Sequence, residues 1–406
     1  MKILWISNVC FSLQKFKQTG TWLFPLAQKL NDETNIEIIN LAVSAKGNFH
    51  ESYIGSIKQY NIPFYKKITK DNINNLNKLI DDINPDLIHL WGTENNYGNY
   101  LIDYQAQRKV LLDMQGLIFS VRKWYFGDLS FLSLLKNIAL KDILRFRSSL
   151  LTKKHTLAKT ENGEQNIIKK MNYISVQSEW VKNYVRFNNS NCKIFRTEVM
   201  LREEFYRSPK WFFKEKVSEK IIFAVSSCDY PLKGGHILIK AFALLKKKHP
   251  NLKLKIVDLM KKGIRKSSYD NFIRRLVKKE KLNCSIEWLH TMDAEGLVEG
   301  LFNSSVFVNP SFVESYSMTI AEALSLGVPC VASFAGAMPE FSFEKETLLY
   351  FPPGDVISCA SQIEKALFNK EIALKLSNSA VKFKGIHNNA DKIVMNQIRI
   401  YNEIIS

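Results

Sequence analysis

An α/β fold built from two doubly wound parallel sheets is what this sequence predicts, on three observations. Short apolar runs alternate with longer amphipathic stretches along the whole chain, the pattern of strands joined by helical crossovers. The 406 residues, 46% of them apolar, exceed what one hydrophobic core holds and suit two. The apolar runs also fall into two sets, one on each side of residue 205.

The first set opens with KILWISNV, Lys2 to Val9. It is too short to span a membrane and is followed by Gln14, Lys15 and Lys17 rather than by a small-residue cleavage site, so it predicts a buried strand near 2–7 and no targeting signal. A helix is expected over about 21–30, then strands near 35–43, 86–91, 109–114, 172–177 and 193–196. In the second set, strands near 220–226, 253–258, 285–289, 305–309, 328–333 and 348–351 are separated by helices near 236–248, 267–282, 293–303 and 317–326. Residues 388–405, apolar at Ile393, Met395, Ile398, Ile400 and Ile404, predict a last helix. The expected organisation is a first domain over 1–205, a second over 206–385, and a C-terminal helix, 386–406, packing back toward the first. The halves do not repeat one another in residues.

Cys10, Cys192, Cys228, Cys284, Cys330 and Cys359 stand singly, without the paired spacing of a zinc site or the clustering of a disulfide scaffold. That pattern points to a reducing cytoplasm. The charge does need a partner: 57 basic against 39 acidic residues give +18, which attracts an anionic surface or substrate. Between Arg122 and Lys170, eleven Lys/Arg stand against four Asp/Glu, interleaved with apolar residues such as Trp124, Phe131, Leu135 and Ile143. Such a mixture suits a reversible, peripheral contact of the first domain with an anionic membrane, or equally core helices with basic outer faces. A second basic run, Lys261 to Lys281, carries Tyr269, Phe272, Ile273, Leu276 and Val277 at core-facing helical spacing and reads as a solvated helix face. No helix-turn-helix, zinc or RNP-like signature accompanies the charge, so nucleic acid is not the expected partner.

The chemistry-bearing segment is FVNPSFVESYSMTIAEALSLGVPCVASFAGAMPE, Phe307 to Glu340. A helix starting near Ser317 would aim the N–H groups of Tyr316, Ser317, Met318 and Thr319 past a strand end, where its dipole and free donors favour a diphosphate. Glu322 would then accept hydrogen bonds from a ribose diol and Glu314, in the preceding loop, would face a sugar. Thr319 and Glu322 also match a capping box, in which Glu322 merely reaches back to the backbone. Lys233, in IIFAVSSCDYPLKGGHILIKAF, lies in the loop after the opening strand of the same domain and before Gly234 and Gly235. An ammonium there would offset charge on a departing diphosphate.

With its two glutamates eight positions apart, EALSLGVPCVAS, the Lys233–Gly234 loop and AFALLKKKHPNLKLKIV, the second half resembles glycosyltransferase family four. Gly20, PDLIHLWGTE, LLDMQG, ISVQSEWVKNYV and FRTEVMLREEFY extend the resemblance into the first half. It implies a GT-B fold, two Rossmann-like domains facing each other across a cleft, with a nucleotide-sugar as co-substrate and no other cofactor. It also implies retention at the anomeric carbon, no metal, and transfer to a saccharide or lipid-linked saccharide of the cell surface. In keeping with the metal expectation, no Asp-x-Asp pair occurs. Lys233 and Glu314 are then the catalytic candidates. Glu322, Tyr316, Ser317, Met318, Thr319, Gly20 and Ser227 are expected to bind donor, and Glu94, Asp113 and Gln115 to meet the acceptor. The family's Arg before the phosphate-loop Lys is replaced by the stretch Ser226, Ser227, Cys228, and its His by Gln115. A sugar-nucleotide epimerase or a glycogen-type phosphorylase shares the architecture, and from other classes the charge alone would suit a nucleic-acid-binding or membrane-surface protein.

Overall fold

In a computed structural model, residues 1–13, 22–44, 49–63, 69–93, 98–104, 107–144, 149–215, 219–225, 228, 230–257, 267–342 and 346–406 are described. The chain divides into two compact units. The first comprises Met1–Leu117, Thr160–Arg202 and Asn388–Ser406; the second comprises Ile118–Lys159 and Glu203–His387. Each carries one Rossmann-like sheet.

The sheet of the first unit contains β1 (Lys2–Ser7), β2 (Glu37–Ser44), β3 (His50–Ile54), β4 (Ile57–Pro63), β5 (Leu87–Trp91), β6 (Val110–Met114), β7 (Tyr173–Val176) and β8 (Lys193–Arg196). Their order is β3-β4-β2-β1-β5-β6-β7-β8, parallel throughout except for the β3–β4 hairpin. Strands β1, β5 and β6 are buried along most or all of their length, as parallel strands covered on both faces must be. The sequence reading passes over the hairpin. Its turn is Gly55–Ser56 with Gly55 at φ +60°, a two-residue connection whose backbone suits glycine, but β3 is largely exposed and offers no apolar run to find.

The second sheet contains β9 (Ile221–Val225), β10 (Lys253–Val257), β11 (Ile286–Leu289), β12 (Val306–Asn309), β13 (Cys330–Ser333) and β14 (Leu349–Phe351), in the order β11-β10-β9-β12-β13-β14 and wholly parallel. The order reverses between β9 and β12, which opens a crevice at their carboxyl ends. Phe223, Phe242 and Phe307 fill the core beneath it.

Two segments leave the order of the chain. The helix Ala390–Ile405 belongs to the first unit, where buried Tyr401 accepts a hydrogen bond from Trp5 Nε1 (3.0 Å) and meets His89 Nδ1 (2.8 Å). Residues 118–159, expected within a first domain of 1–205, group instead with the second unit. Asp142 accepts from the Ser268 N–H at 2.7 Å, and Arg275 donates to the carbonyl of Lys136 at 2.7 Å. The described residues of the stretch hold no strand, so its unit cannot be read from strand periodicity; polar groups with partners far along the chain help to decide it.

Candidate active site

The loops after β9 and β12 are built against each other at the point where the strand order reverses. In the loop beyond β9, Pro231–Lys233 form a turn, and Gly234 then takes φ +71° to start the helix Gly235–Lys248. A Cβ on Gly234 would lie 1.9 Å from the carbonyl oxygen of Pro310, so only glycine lets the two loops close. Phe312 N–H donates to the Leu232 carbonyl at 2.8 Å and joins the loops a second time.

This closure brings Lys233 and Glu314 together. Lys233 Nζ donates to Glu314 Oε1 at 2.8 Å, and the same oxygen accepts from Ser311 Oγ at 2.7 Å. Glu314 is nearly buried, whereas a third of the Lys233 side chain is exposed. The backbone of Glu314 is fixed from a third loop: Ala337 N–H donates to its carbonyl at 2.8 Å, and Gly336, at φ +59°, lies so close that a Cβ would sit 2.2 Å from that oxygen. Lys233 is therefore paired with Glu314.

The helix Met318–Ser325 begins beside this pair, with Ser317 at its N-cap. Ser317 makes no side-chain cap; its hydroxyl meets Asn309 Nδ2 at 2.9 Å and Thr319 Oγ1 at 3.3 Å. The first helical bond runs from Ala321 N–H to the Ser317 carbonyl at 3.0 Å, so the N–H groups of Ser317, Met318 and Thr319 precede the ladder. The capping-box alternative is not the one the chain adopts, because Thr319 lies inside the helix and Glu322 falls in its second turn. Glu322 is buried at 3% exposure, and the half-buried Tyr316 ring lies against Phe341 at 5.4 Å.

One neighbouring cluster escapes sequence reasoning. His236, in the first turn of Gly235–Lys248, is fully buried. Its Nδ1 meets Tyr269 Oη at 2.9 Å, its Nε2 meets Asp128 at 2.5 Å, and its ring stacks on Phe312, which stacks in turn on Trp124. Burial holds the imidazole below its ordinary value, and so neutral. Burial alone would raise the Asp128 carboxyl, but contact with His236 outweighs it and holds it low. Gly127, at φ +58°, presses on Phe312 and the Pro231 carbonyl, each within 2.9 Å of a Cβ built there. Gly127–Asp128 is a turn signal in the sequence, yet nothing local says what the turn touches.

In the first unit, Asp113, the penultimate residue of β6, is fully buried. Its carboxylate accepts from Ser175 Oγ (2.7 Å), Gln177 Nε2 (3.0 Å), Thr197 Oγ1 (3.4 Å) and Gln115 Nε2. Burial still pushes it up to about 7. Asp113 and Gln115 are thus one network, with Gln115 its half-buried end. Gly20, Glu94 and Ser227 lie outside the described residues.

Residues 208–383 match the family model for glycosyl transferases group 1. The matched segment holds the whole constellation from Lys233 to Glu322. A D-inositol 3-phosphate glycosyltransferase of Pseudarthrobacter chlorophenolicus is 30% identical over 116 residues, 29% of this chain, and the chain spans only 27% of that relative's length. Among solved structures, a sucrose-phosphate synthase from Thermosynechococcus elongatus superposes with a TM-score of 0.75 at 15% identity, covering 100% of this chain and 99% of the other. The Anabaena protein HepE, solved in complex with UDP and glucose, gives 0.65 at 13% identity, covering 99% of this chain and 100% of that one. At these identities the structures establish the fold, which is GT-B with two Rossmann-like sheets.

Proposed function

We propose that the protein is a retaining glycosyltransferase that moves a sugar from a nucleoside-diphosphate sugar to a saccharide or lipid-linked saccharide, in cell-surface polysaccharide assembly. The observation that carries this reading is the meeting of Lys233 and Glu314 at 2.8 Å beside the start of Met318–Ser325, with Glu322 buried in that helix. A diphosphate at this point is met by the helix N–H groups of Met318 and Thr319 and by the Lys233 ammonium. Glu322 serves the ribose diol, and Glu314, held by Ser311 and Ala337, orients the donor sugar.

In the proposed reaction the acceptor hydroxyl attacks the anomeric carbon on the face from which the diphosphate leaves. The carbon–oxygen bond to the phosphate breaks, and a phosphate oxygen takes the hydroxyl proton, so no protein base is required. Lys233 balances the charge gathering on the leaving group, a preorganised electrostatic effect. Gln115, held by the buried Asp113, is the acceptor-side contact this reading favours. The phosphate charge is met without a metal, and the protein works in the cytoplasm, resting on the inner face of an anionic membrane through the segment 122–170. In support, no described helix is long and apolar enough to cross a bilayer.

A thermal-shift panel of UDP-, GDP-, ADP- and CMP-sugars tests the donor claim, since a ligand that binds only the folded state raises the melting temperature. One nucleotide class is expected to stabilise, with transfer unaffected by exhaustive EDTA. Stabilisation by none would remove the donor site, and rescue of an EDTA-silenced enzyme by magnesium or manganese would remove the metal-free mechanism.

A further inference from the structure

Parts of the two basic runs, Phe131–Ile143 and Ser268–Lys279, lie more than a hundred residues apart in sequence and meet in the second unit. The short helices Phe131–Leu135 and Leu140–Leu144 lie on the helix Ser268–Lys279. Arg275 donates to the carbonyl of Lys136, Asn271 to that of Asn137 at 3.2 Å, and Ser268 to Asp142. Leu134 and Ala139 take the buried positions. What remains outside is apolar: Phe131, Leu132, Leu135, Ile138, Leu140 and Ile143 are all exposed, Leu132 at 65%. Six large apolar side chains exposed within thirteen residues are more than a soluble surface usually leaves uncovered.

Beside that face stand Lys136 and, on the underlying helix, Arg275, Lys278 and Lys279, all exposed. An apolar centre with cations of one sign beside it narrows the occupant. A second copy of the chain meeting this face symmetrically would bring the four cations against their own images, which is repulsive. A nucleic acid would leave the aliphatic centre unused. An anionic lipid surface satisfies both parts, with the apolar side chains entering the boundary of headgroups and acyl chains and the cations resting among phosphates.

We infer that the protein docks on anionic lipid through this composite face, Phe131–Ile143 with the outer side of Ser268–Lys279. The inference rests on the peripheral-membrane reading above and deepens it. It assigns the contact to the unit that holds Lys233 and Glu314, and it enlists a helix that the sequence reads as merely solvated.

The test is co-sedimentation of the full chain with vesicles of phosphatidylglycerol and phosphatidylcholine, or of phosphatidylcholine alone. The combined Phe131→Ser, Leu132→Ser, Ile143→Ser variant and the combined Lys136→Gln, Lys278→Gln, Lys279→Gln variant are run beside the wild type, with circular dichroism and melting confirming that each is folded. Binding only to anionic vesicles is expected, weakened roughly tenfold or more in the apolar variant. In the charge variant both binding and its salt sensitivity fall. Wild-type binding that neither variant weakens overturns this face while leaving membrane attachment intact. Absence of wild-type binding at low salt overturns both. A wild-type dimer in solution that the apolar variant converts to monomer shows the face to be a subunit contact and overturns the lipid assignment.

Discussion

Lys233 and Glu314 form an ion pair, so in the proposed mechanism Lys233 would serve a second anion when a diphosphate enters. Replacing it separates two roles. Lys233→Ala is expected to lower turnover on the order of 100-fold, because the contact strengthens as the leaving group gains charge. Glu322→Ala is expected to raise the donor KM chiefly, because ribose is held alike in ground and transition states. Steady-state kinetics over donor concentration measure both, and near wild-type turnover for Lys233→Ala removes the centre of the mechanism. Asp113 poses a different residue-scale question. Its folded carboxyl titrates near 7, well above its ordinary 3.8, so ionising it opposes folding. Its contribution is fully present below about pH 4 and is lost as pH rises through 7, at about 1.4 kcal/mol per pH unit. Asp113→Asn is therefore expected to be stabilised relative to the wild type at pH 8 and to lose that advantage at pH 4, as denaturant melts at the two pH values will read. The motif residues were legible in the sequence because strand, loop and helix follow one another directly. Asp128 and His236 were not, since 107 residues lie between them and neither belongs to a pattern.

The loops that shape the crevice depend on three glycines. Gly234, Gly336 and Gly127 all hold positive φ, and at Gly234 and Gly336 a Cβ would enter another loop's backbone. Gly336→Ala is expected to push the Glu314 carbonyl away, break its bond to Ala337, and cost donor affinity tenfold or more while the remote sheet stays folded. Isothermal titration with the stabilising nucleotide-sugar, beside circular dichroism, checks it; unchanged affinity in a folded variant would mean that Glu314 is not held by this turn. At this scale the strands of the second sheet were readable, because each is a short apolar run between a helix and a turn. The strand order was not, although it places the site: β9 and β12 are neighbours with two strands of sequence between them, a relation that no local pattern encodes. The β3–β4 hairpin shows the converse, a short-range pairing with a recognisable Gly–Ser turn but an exposed strand.

Neither unit is one continuous piece of chain, and the helix Ala390–Ile405 shows what that does for the molecule. An apolar stripe at helical spacing announced the helix, but no periodicity tells which sheet such a stripe covers. Among the polar atoms that fix it is the buried Tyr401 hydroxyl, bonded to Trp5 and His89 from strands at the other end of the sequence. Tyr401→Phe keeps the ring and removes that oxygen, leaving buried Trp5 Nε1 and His89 Nδ1 without it. A buried donor or acceptor so orphaned costs about 1–3 kcal/mol, a visible fall in melting temperature. Burial lowers His89 from its ordinary 6.5 to about 3, so the imidazole is neutral when folded. Its stability contribution is complete above pH 6.5 and is lost as pH falls toward 3, the opposite sense to Asp113. Removing residues 388–406 uncovers the same cluster to water, so it is expected to destabilise the protein more than Tyr401→Phe does. Lys233, Glu314 and Glu322 all belong to the other unit, so nucleotide affinity of the folded Tyr401→Phe variant is expected to match the wild type. Melting curves at pH 8 and pH 5 with a nucleotide titration decide the matter: an unchanged melting temperature would mean that the hydroxyl does not anchor the helix, and a lost nucleotide affinity would mean that the donor site depends on the first unit's interior.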